Sequence, residues 1–313
     1  MRQRTLPGTD LSLSVVGMGL WPAGGRHWGP VDDDESIAAI RRAVELGVDW
    51  FDTAPLYGDG HADRILRRAL GAHIGEVTIA TKVGAQRDAS TDEAWSDLRP
   101  ESIREDCHAS LQRLGVQRID LLQVHWPCER GTPIAETIGA LERLRDEGSI
   151  RAFGLCNYDA AGLQAALEAG AVASLQTPYS IVRRDADAGL LSTCEAREVG
   201  VLAYETLCRG LLTGKFGARP PRFGPDDMRR QDPRFWGERF LRIASVARTL
   251  DAIATKVHVP TSALAVGWVL QRPGVTAAVV GAKSPAQVEA NVRAAALVDQ
   301  PRLWQTVDRL LAA

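Results

Sequence analysis

The sequence predicts a (β/α)8 TIM barrel with an N-terminal β-hairpin and a long loop after strand 7. Eight short apolar segments alternate with amphipathic segments over 313 residues, and such an alternation over about 250 residues is typical of this barrel. The length fits one large domain or two ordinary ones. Because the alternation continues from one end of the chain to the other, we expect residues 1–313 to form a single barrel domain.

The predicted elements follow one another in a regular order. The opening segment TLPGTDLSLS (residues 5–14) is a hairpin with a Pro7-Gly8 turn, placed to plug the floor of the barrel. Eight strands are predicted at residues 15–20, 48–51, 77–82, 119–125, 150–156, 173–178, 201–205 and 275–281. Helices lie between them, for example at residues 33–46, 100–114, 133–147 and 160–169. In the helix at 133–147, apolar residues recur at three- and four-residue steps from Ile134 to Leu144, which predicts one face against the barrel.

Residues 206–239 break this alternation. The segment is rich in Gly, Pro and Arg and has little periodicity. A stretch of that length inside a compact domain is usually functional or disordered. Because it follows the seventh strand, we expect a lid over the barrel mouth, and a solvated surface insertion is the alternative.

An open doubly wound sheet is the alternative architecture. It would normally carry GxGxxG after its first strand, whereas the first strand here reads GMGLWP (residues 17–22) and lacks the third glycine. The run GLLTGK (residues 210–215) is one residue too short for a P-loop, and Phe216 occupies the position of the Ser or Thr that binds magnesium. The absence of both nucleotide fingerprints favours the barrel.

Charge and composition exclude several classes of protein. The 37 basic and 39 acidic side chains leave a formal net charge of −2, which argues against a nucleic-acid partner because such a protein needs a basic surface. The longest apolar stretch is broken at residues 271–273 and the N-terminus lacks an apolar signal core, so we expect no membrane span and a cytoplasmic protein. Five cysteines without a CxxC pair fit a reducing compartment, and no cluster has the spacing of a metal site. The sequence leaves the oligomeric state open.

Polar side chains follow six successive barrel strands. They are Asp52, Lys82, His125, Asn157, Gln176 and Tyr204. In a barrel the reactive groups lie at the carboxyl ends of the strands. One such residue alone is more often a satisfied core group or a helix cap, but six that converge on one mouth indicate a site.

Tyr57 completes a group that can move a proton. A tyrosine hydroxyl titrates near pKa ~10, and a buried ammonium beside it favours the phenolate and lowers that pKa. We expect Lys82 to supply the charge, Asp52 to keep Lys82 protonated, and His125 to hold a carbonyl oxygen near the tyrosine. The group is then an acid that acts on an oxygen without a metal.

The chain resembles the aldo-keto reductase superfamily, as a bacterial aldo/keto reductase, over essentially its full length. The resemblance rests on GMGLW (17–21), FDTAPLYG (51–58), ATK (80–82), IDLLQVHW (119–126), GSIRAFGLCNY (148–158), QTPY (176–179), Tyr204 with RGLLTGK (209–215), and GAKSPAQVEAN (281–291). These motifs occur in the order and at the spacing of the family. The resemblance implies reversible, NADPH-dependent reduction of an aldehyde or ketone to an alcohol, so the expected partner is a small carbonyl or alcohol substrate.

The resemblance also assigns roles to individual residues. The catalytic tetrad of the family corresponds to Asp52, Tyr57, Lys82 and His125, with the tyrosine as general acid in reduction. Tyr204 corresponds to the residue that stacks on the nicotinamide, and Asn157 and Gln176 to those that hold its carboxamide. The pyrophosphate and adenosine contacts correspond to Leu207, Arg209, Gly210, Leu211, Gly281, Lys283, Ser284, Gln287 and Asn291. The charge of Lys283 suits a 2′-phosphate, so the expected cofactor is NADP(H), with no metal.

Aromatic residues are expected to line the substrate pocket. Trp21, Trp28 and Trp126 follow strands one and four, and Phe235 and Trp236 are further candidates from the seventh loop. Aromatic walls suit an apolar or ring-shaped carbonyl compound and also stack on sugar faces, so the substrate class stays open.

Two cysteines lie close to the expected cofactor contacts. Cys156 precedes Asn157 at a position where serine is common in the family, and Cys208 lies in the segment after Tyr204. This proximity raises the hypothesis that activity is sensitive to thiol oxidation.

Two other functions compete with the reductase. A Schiff-base aldolase would use Lys82 as its nucleophile, but it gives no role to Tyr204, Asn157 or residues 281–291. A nonenzymatic NADP(H)-binding sensor or regulatory subunit would keep the cofactor contacts, and the intact tetrad argues against it.

Overall fold

Eight parallel strands close into a barrel, as the alternation predicts. The computed structural model describes residues 1–88 and 90–312. Numbered along the chain, the strands are β1 (Gln3–Thr5), β2 (Ser12–Ser14), β3 (Val16–Gly19), β4 (Trp50–Asp52), β5 (Thr78–Val83), β6 (Ala85–Arg87), β7 (Ala94–Ser96), β8 (Ile119–Val124), β9 (Ile150–Cys156), β10 (Ser174–Pro178), β11 (Gly200–Tyr204) and β12 (Val275–Gly281). The barrel order is β3, β4, β5, β8, β9, β10, β11 and β12, which pairs back with β3. These eight strands begin and end within two residues of the predicted ones.

Helices surround the barrel. They are α1 (Asp33–Glu45), α2 (His61–Leu70), α3 (Pro100–Leu114), α4 (Ile134–Asp146), α5 (Ala160–Ala169), α6 (Leu190–Ala196), α7 (Gly237–Lys256), α8 (Thr261–Leu270), α9 (Pro285–Val292) and α10 (Pro301–Ala312). Helix α1 begins where the Asp32 side chain accepts a hydrogen bond from the Glu35 amide, a cap that satisfies an otherwise unpaired N–H group. Helix α4 buries Ile138, Leu141 and Leu144, which confirms the predicted apolar face.

Helix length and composition bear on membrane association. Across the described ranges, no single helix is both long enough and apolar enough to cross a bilayer. Helices α7 and α8 reach that length and composition only when they are taken together, and they are bent by 101° relative to each other.

The N-terminal hairpin closes the floor of the barrel. Strands β1 and β2 pair antiparallel, with Arg4 opposite Leu13. Leu6, Leu11 and Leu13 are buried in one cluster with residues of the barrel strands. The predicted plug is confirmed, and access to the barrel interior is left to the opposite end.

Trp50 fills the barrel below the strand ends. Its side chain is fully buried, and its indole N–H donates to the Ser14 carbonyl oxygen at 2.8 Å. A Cβ on Gly17 would lie 2.0 Å from the Trp50 ring, so only glycine at this position leaves room for the tryptophan. Because alternate residues of a strand face the same side, this packing also sets the position of Asp52, two residues further along β4.

Two loop segments lie above the barrel mouth. After β5, strands β6 and β7 pair antiparallel with Ala85 opposite Ser96, in a hairpin that the apolar pattern does not predict. After β11, residues 206–236 cross to the loop after β3, where the Met228 amide donates to the His27 carbonyl oxygen at 2.9 Å. The long loop therefore lies over the mouth, as expected of a lid.

Candidate active site

The carboxyl ends of the barrel strands open into a cavity of about 880 Å³. Asp52, Tyr57 and His125 line it, and Lys82 is fully buried behind them. The other predicted residues in its wall are Trp21, Trp28, Trp126, Asn157, Gln176, Tyr204, Leu207, Arg209, Gly210, Gly281, Lys283, Gln287 and Asn291. Two predicted contacts, Leu211 and Ser284, are not part of the wall; the Leu211 side chain packs in the hydrophobic core instead.

A buried ion pair lies at the base of the cavity. Lys82 Nζ is 2.6 Å from Asp52 Oδ1 and donates to the Thr53 carbonyl oxygen at 3.0 Å. Burial lowers the pKa of Lys82, but the charges of Asp52 and Tyr57 raise it by more, so that it lies above its ordinary value. The ammonium is therefore charged at neutral pH, in agreement with the sequence-based expectation.

Two amides hold the carboxylate of this pair. Gln176 Nε2 donates to Asp52 Oδ2 at 2.7 Å, and Gln123 Nε2 donates to the same oxygen at 3.3 Å. Gln123 is fully buried, and its Oε1 has no hydrogen-bond partner within the described residues. Gln123 was not among the predicted residues, although a polar residue inside an apolar strand, two positions before His125, is a detectable signal.

Tyr57 lies against the ion pair. Lys82 Nζ is 5.2 Å from the centroid of the Tyr57 ring. Burial raises the pKa of Tyr57, and the charge of Lys82 lowers it by less, so the net shift is upward. The prediction of a lowered pKa is therefore wrong, because desolvation of the phenolate outweighs the nearby ammonium. Tyr57 is a protonated phenol at neutral pH.

Close contact between two loops positions Tyr57. A Cβ on Gly24 would lie 2.7 Å from the Tyr57 carbonyl carbon, and one on Gly58 would lie 1.9 Å from the Gly24 oxygen. Gly58 has a φ of 64°, a left-handed conformation that glycine adopts without strain. Trp21 precedes Gly24 in the same loop and stacks on the Tyr57 ring, with centroids 6.2 Å apart. The loop after β3 thus holds the phenol at the mouth.

His125 is a neutral imidazole beside the phenol. Its ring stacks on Trp126 with centroids 3.9 Å apart and lies 6.1 Å from the Tyr57 ring. Burial, and then the charge of Lys82, hold the pKa of His125 well below its ordinary value. A neutral imidazole carries one N–H donor. His125 can therefore donate a hydrogen bond at neutral pH, beside a phenol that is itself protonated.

The predicted carboxamide contacts hydrogen-bond to the protein itself. Asn157 Nδ2 donates to the His125 carbonyl oxygen at 3.0 Å, and the Tyr204 hydroxyl donates to Asn157 Oδ1 at 2.7 Å. Cys156 Sγ lies 3.3 Å from Asn157 Nδ2 and 3.7 Å from Gln176 Oε1. These contacts link residues at the ends of β8 to β11 around the mouth.

The segment after β11 contains a partly buried ion-pair network. Glu205 lies 2.8 Å from Arg209 and 2.7 Å from Arg234, and Asp232 lies 3.0 Å from Arg209. Burial raises the pKa of Glu205, but hydrogen bonds and charge from Arg234 and Arg209 lower it by more, so the net shift is downward. The guanidinium of Arg209, a predicted pyrophosphate contact, is thus paired with two carboxylates.

Another part of the cavity wall carries three cationic side chains, those of Lys215, Arg229 and Lys283. Lys283 Nζ donates to the Trp28 carbonyl oxygen at 2.6 Å, and the Arg229 guanidinium lies 5.3 Å from the centroid of the Trp28 ring. Burial lowers the pKa of Lys215 and of Lys283, and the charge of Arg229 lowers both further. Asp227 pairs with Arg229 and is the carboxylate that opposes these charges. Neither Lys215 nor Arg229 was among the predicted site residues, although Lys215 is one of only four lysines.

The two further aromatic candidates do not line the pocket. Phe235 is fully buried and packs edge-to-face on Phe216 and Phe223 within the long loop, with centroids 5.9 Å and 4.9 Å away. Trp236 is exposed and lies outside the cavity wall. The loop uses these aromatics to fold on itself, which the sequence does not reveal.

Cysteine thiols and candidate metal ligands are the remaining groups that could carry chemistry. All five cysteines are free. Burial raises the pKa of Cys156 to about 12 and that of Cys208 to about 11, which disfavours the thiolate form at neutral pH. The hypothesis of oxidation-sensitive activity stays a prediction. In residues 1–88 and 90–312, no three His, Cys, Asp or Glu side chains are grouped to hold a metal ion.

Fold and site together define a (β/α)8-barrel enzyme whose ionisable groups gather at the carboxyl ends of the strands. The chain belongs to the aldo/keto reductase family, whose model matches residues 15–312. Members of this family are oxidoreductases that bind a nicotinamide cofactor and act on small carbonyl compounds. The resemblance based on the sequence motifs is thereby confirmed.

Three relatives show the extent of the similarity. The chain is 34% identical over 293 residues to the aldo-keto reductase YhdN of Bacillus subtilis, covering 93% of this chain and 87% of that protein. It is 34% identical over 307 residues to the NADH-specific methylglyoxal reductase of Escherichia coli, covering 94% and 93% respectively. A solved glycerol dehydrogenase from Gluconobacter oxydans has the same fold, with a TM-score of 0.88, 36% identity and coverage of 99% of this chain and 95% of that one.

Proposed function

We propose that this protein is a cytoplasmic NADP(H)-dependent reductase that converts an aldehyde or ketone reversibly to an alcohol, with Tyr57 as the proton donor. The observation that carries the proposal is the position of Tyr57, a phenol on the wall of a large cavity and in contact with the Lys82–Asp52 pair. Its raised pKa keeps the proton available at neutral pH. The nicotinamide, when bound, supplies the hydride.

Each neighbour of the phenol has a defined task in this proposal. Lys82 stabilises the negative charge that develops on the Tyr57 oxygen as the proton leaves. Asp52 keeps Lys82 charged and in place at 2.6 Å. His125, as a neutral donor, holds the carbonyl oxygen of the substrate. The two glutamines that bind Asp52 keep its carboxylate aimed at the lysine.

The cavity suits a dinucleotide in its size and in the cations that line it. We assign the nicotinamide end to Asn157, Gln176 and Tyr204, the pyrophosphate to Leu207, Gly210, Lys215 and Arg229, and the adenosine to Gly281, Lys283, Gln287 and Asn291. Gln176 Oε1 receives only a weak contact from Cys156 at 3.7 Å, so it retains the capacity to accept a hydrogen bond from the carboxamide while Nε2 stays on Asp52. Thr206 Oγ1 is buried without a hydrogen-bond partner in the described chain and lies in the same wall.

The excess of positive charge favours NADP(H) over NAD(H). Lys215, Arg229 and Lys283 are opposed by Asp227, so an additional phosphate would relieve their mutual repulsion. A relative that is 34% identical is an NADH-specific reductase, so the preference has to be tested on this chain. Lys283→Ala should weaken NADPH binding about 10-fold or more and NADH binding much less, since one charge-assisted contact is lost.

The measurement for this cofactor preference is quenching of tryptophan fluorescence by each dinucleotide. Lys256→Ala, which removes an exposed lysine of α7, is the matched control and should leave both affinities unchanged. Equal weakening of NADPH and NADH in Lys283→Ala would remove the phosphate assignment.

Tyr57→Phe tests the reductase itself. Only the transferable proton is removed, so NADPH binding should survive while carbonyl reduction falls by about 10²–10⁴. Tyr158→Phe is the control, because Tyr158 is a buried tyrosine outside the cavity wall whose hydroxyl has no partner in the described residues. Reduction that proceeds at the wild-type rate in Tyr57→Phe rejects the proposal.

The site argues against the aldolase. A Schiff-base nucleophile must be a neutral and accessible amine, whereas Lys82 is fully buried, charged and paired with Asp52. The second candidate function is a nonenzymatic NADP(H)-binding sensor, which the activity assay distinguishes from the reductase. NADPH binding without turnover of any carbonyl in a broad panel would identify it.

A further inference from the structure

Asp63 is a buried carboxylate that the proposed mechanism does not use. It lies in the first turn of α2, its side chain is fully buried, and it is not part of the cavity wall. Taking a carboxylate out of water is unfavourable unless the group is paired and hydrogen-bonded. The partners of Asp63 therefore indicate what this residue does.

The Asp63 carboxylate is held from two sides. Its Oδ1 accepts a hydrogen bond from the Thr53 hydroxyl at 2.7 Å, and its Oδ2 lies 2.9 Å from Arg113 Nε. Arg113 comes from α3 and also donates to Ser110 Oγ at 2.8 Å. A Cβ on Gly60 would lie 2.5 Å from Arg113 Cδ, so glycine at this position leaves room for the arginine to reach the carboxylate.

Thr53 connects this carboxylate to the buried ion pair of the site. It is fully buried and is the first residue after the end of β4, next to Asp52. Its amide donates to the Ala80 carbonyl oxygen at 2.9 Å, and its own carbonyl oxygen accepts a hydrogen bond from Lys82 Nζ at 3.0 Å. This carbonyl lies beyond the strand, so the side-chain bond to Asp63 is what anchors the residue that carries it.

The same hydrogen bond closes the loop that carries Tyr57. Thr53 and Asp63 are ten positions apart, and Tyr57 lies between them. Within the loop, the Ala62 amide donates to the Tyr57 carbonyl oxygen at 3.1 Å, and Gly60 has a left-handed φ of 74°. The bond between the two ends therefore restricts the position of the phenol as well as that of the carbonyl.

The orientation of the Lys82 ammonium depends on this carbonyl. An ammonium has three N–H donors, and two of them bind Asp52 Oδ1 at 2.6 Å and the Thr53 carbonyl oxygen at 3.0 Å. With these two fixed, the third is the one that can reach the phenol of Tyr57. A displaced carbonyl would let the ammonium turn, and the negative charge that develops on the Tyr57 oxygen would then be stabilised less well.

We infer that Asp63 is a positioning residue for proton transfer, which acts through the Thr53 hydroxyl on the orientation of Lys82 and on the loop that carries Tyr57. The inference rests on the proposed function, because it names a residue that supports the same proton donor. Neither Asp63 nor Thr53 lines the cavity. Loss of their hydrogen bond should therefore slow the chemical step and leave binding unchanged.

Thr53→Val tests this connection, because it removes the hydroxyl, keeps the shape of the side chain and leaves Asp63 paired with Arg113. We measure reduction of 4-nitrobenzaldehyde at saturating NADPH, per NADPH-binding site. We expect kcat to fall about 10-fold, while KM for the aldehyde and Kd for NADPH stay constant. Thr53→Ser keeps the hydroxyl and should restore a kcat close to that of the wild type.

Thr137→Val is the matched control. Thr137 is also fully buried, its hydroxyl donates to the Leu98 carbonyl oxygen at 3.3 Å, and it lies outside the cavity wall. The control should keep the wild-type kcat, which shows that loss of a buried threonine hydroxyl is not sufficient to slow the reaction.

The solvent deuterium isotope effect on kcat separates positioning from a structural role. A misaligned Lys82 slows proton transfer relative to hydride transfer, so the isotope effect should increase in Thr53→Val. A general loss of folded enzyme would lower the rate without changing it. Asp63→Asn, which keeps the size of the side chain and removes the charge that Arg113 pairs with, should show the same two changes.

The possible failures are distinguishable. A Thr53→Val or Asp63→Asn variant that binds NADPH and keeps the wild-type kcat overturns the inference, and so does a lowered kcat with an unchanged isotope effect. Both results leave the reductase intact. A wild type that binds NADPH and reduces no carbonyl compound in a broad panel overturns the proposed function instead.

Discussion

Replacing Asp52 by asparagine leaves Lys82 as a buried ammonium without its counter-charge. Lys82 is fully buried, and its Nζ lies 2.6 Å from Asp52 Oδ1. Removing one partner of a buried ion pair typically costs about 3–5 kcal/mol. We therefore expect the free energy of unfolding of Asp52→Asn to fall by several kcal/mol at pH 7.

The ionisation of the lysine limits the part of this loss that comes from burying an unpaired charge, because the lysine can become neutral. In the variant, Lys82 can release its proton. The free-energy cost of releasing it is about 1.36 kcal/mol for each unit by which the pH lies below the ordinary lysine pKa of about 10.4. This limit is thus about 4.6 kcal/mol at pH 7 and about 1.2 kcal/mol at pH 9.5. The folded variant then binds fewer protons than the unfolded chain, so its stability rises with pH over this range.

The wild type should behave differently over the same range. The pKa of Lys82 is raised in the folded protein. Stability from a raised lysine pKa is fully present below the pKa of the unfolded chain, and it is lost only as the pH rises through the folded value. The contribution of Lys82 is therefore constant from pH 7 to 9.5 in the wild type, and the difference between the two proteins should shrink.

Urea unfolding followed by tryptophan fluorescence at pH 7 and pH 9.5 measures this difference. Asp63→Asn is the control, because Asp63 is another fully buried carboxylate and its partner Arg113, 2.9 Å away, cannot deprotonate. The loss in Asp52→Asn should shrink by about 2 kcal/mol or more at the higher pH, while that in Asp63→Asn should stay the same. An Asp52→Asn loss that is equal at both pH values would falsify the description of Lys82 as a buried cation held by Asp52.

Two further predictions concern the chemistry. Gln123→Leu removes one hydrogen-bond donor to Asp52 without changing a residue of the cavity wall. We expect kcat to fall about 5- to 10-fold, while the Kd for NADPH, measured by fluorescence, stays constant. A parallel loss of NADPH affinity would contradict a role confined to the ion pair. The pKa of Tyr57 lies above its ordinary value. The phenol needed for reduction therefore persists at every pH below this raised pKa, and the phenolate needed for oxidation appears only as the pH rises through it. Initial rates in both directions between pH 7 and pH 10 should therefore show reduction flat and oxidation increasing, and a decline of reduction near neutral pH would contradict this.

The fold was predictable because its signals are local. Each barrel strand is a short apolar run, and each helix has its own apolar face, so residues 150–156 and 275–281 were predicted at their observed bounds. The β6–β7 hairpin was missed because its strands are three residues each and carry no apolar run. The helix predicted at 133–147 begins one residue later, at Ile134, since Pro133 precedes the first turn.

Part of the candidate site was predictable for the same reason. Residues at the ends of barrel strands share one mouth whatever the details of packing, and Asp52 and His125 were placed there from the sequence. Gln123 was missed because its role depends on a contact with a residue 71 positions away. Arg209 was expected to contact a phosphate. In the structure its guanidinium pairs with Glu205 and Asp232, and the sequence does not reveal these ion pairs.

By itself, the sequence determined the barrel, its plugged floor, the family and the residues that gather at the mouth, since each follows from short-range pattern or from motif order. Only the tertiary structure decided the direction of the Tyr57 pKa shift, because desolvation depends on everything packed around the phenol. It alone also brought Arg26 into ion pairs with Asp59 and Asp92, which lie 33 and 66 residues away in the chain. Ion pairs at such separations leave no periodic signal in a sequence, since they form only when the barrel brings the loops together.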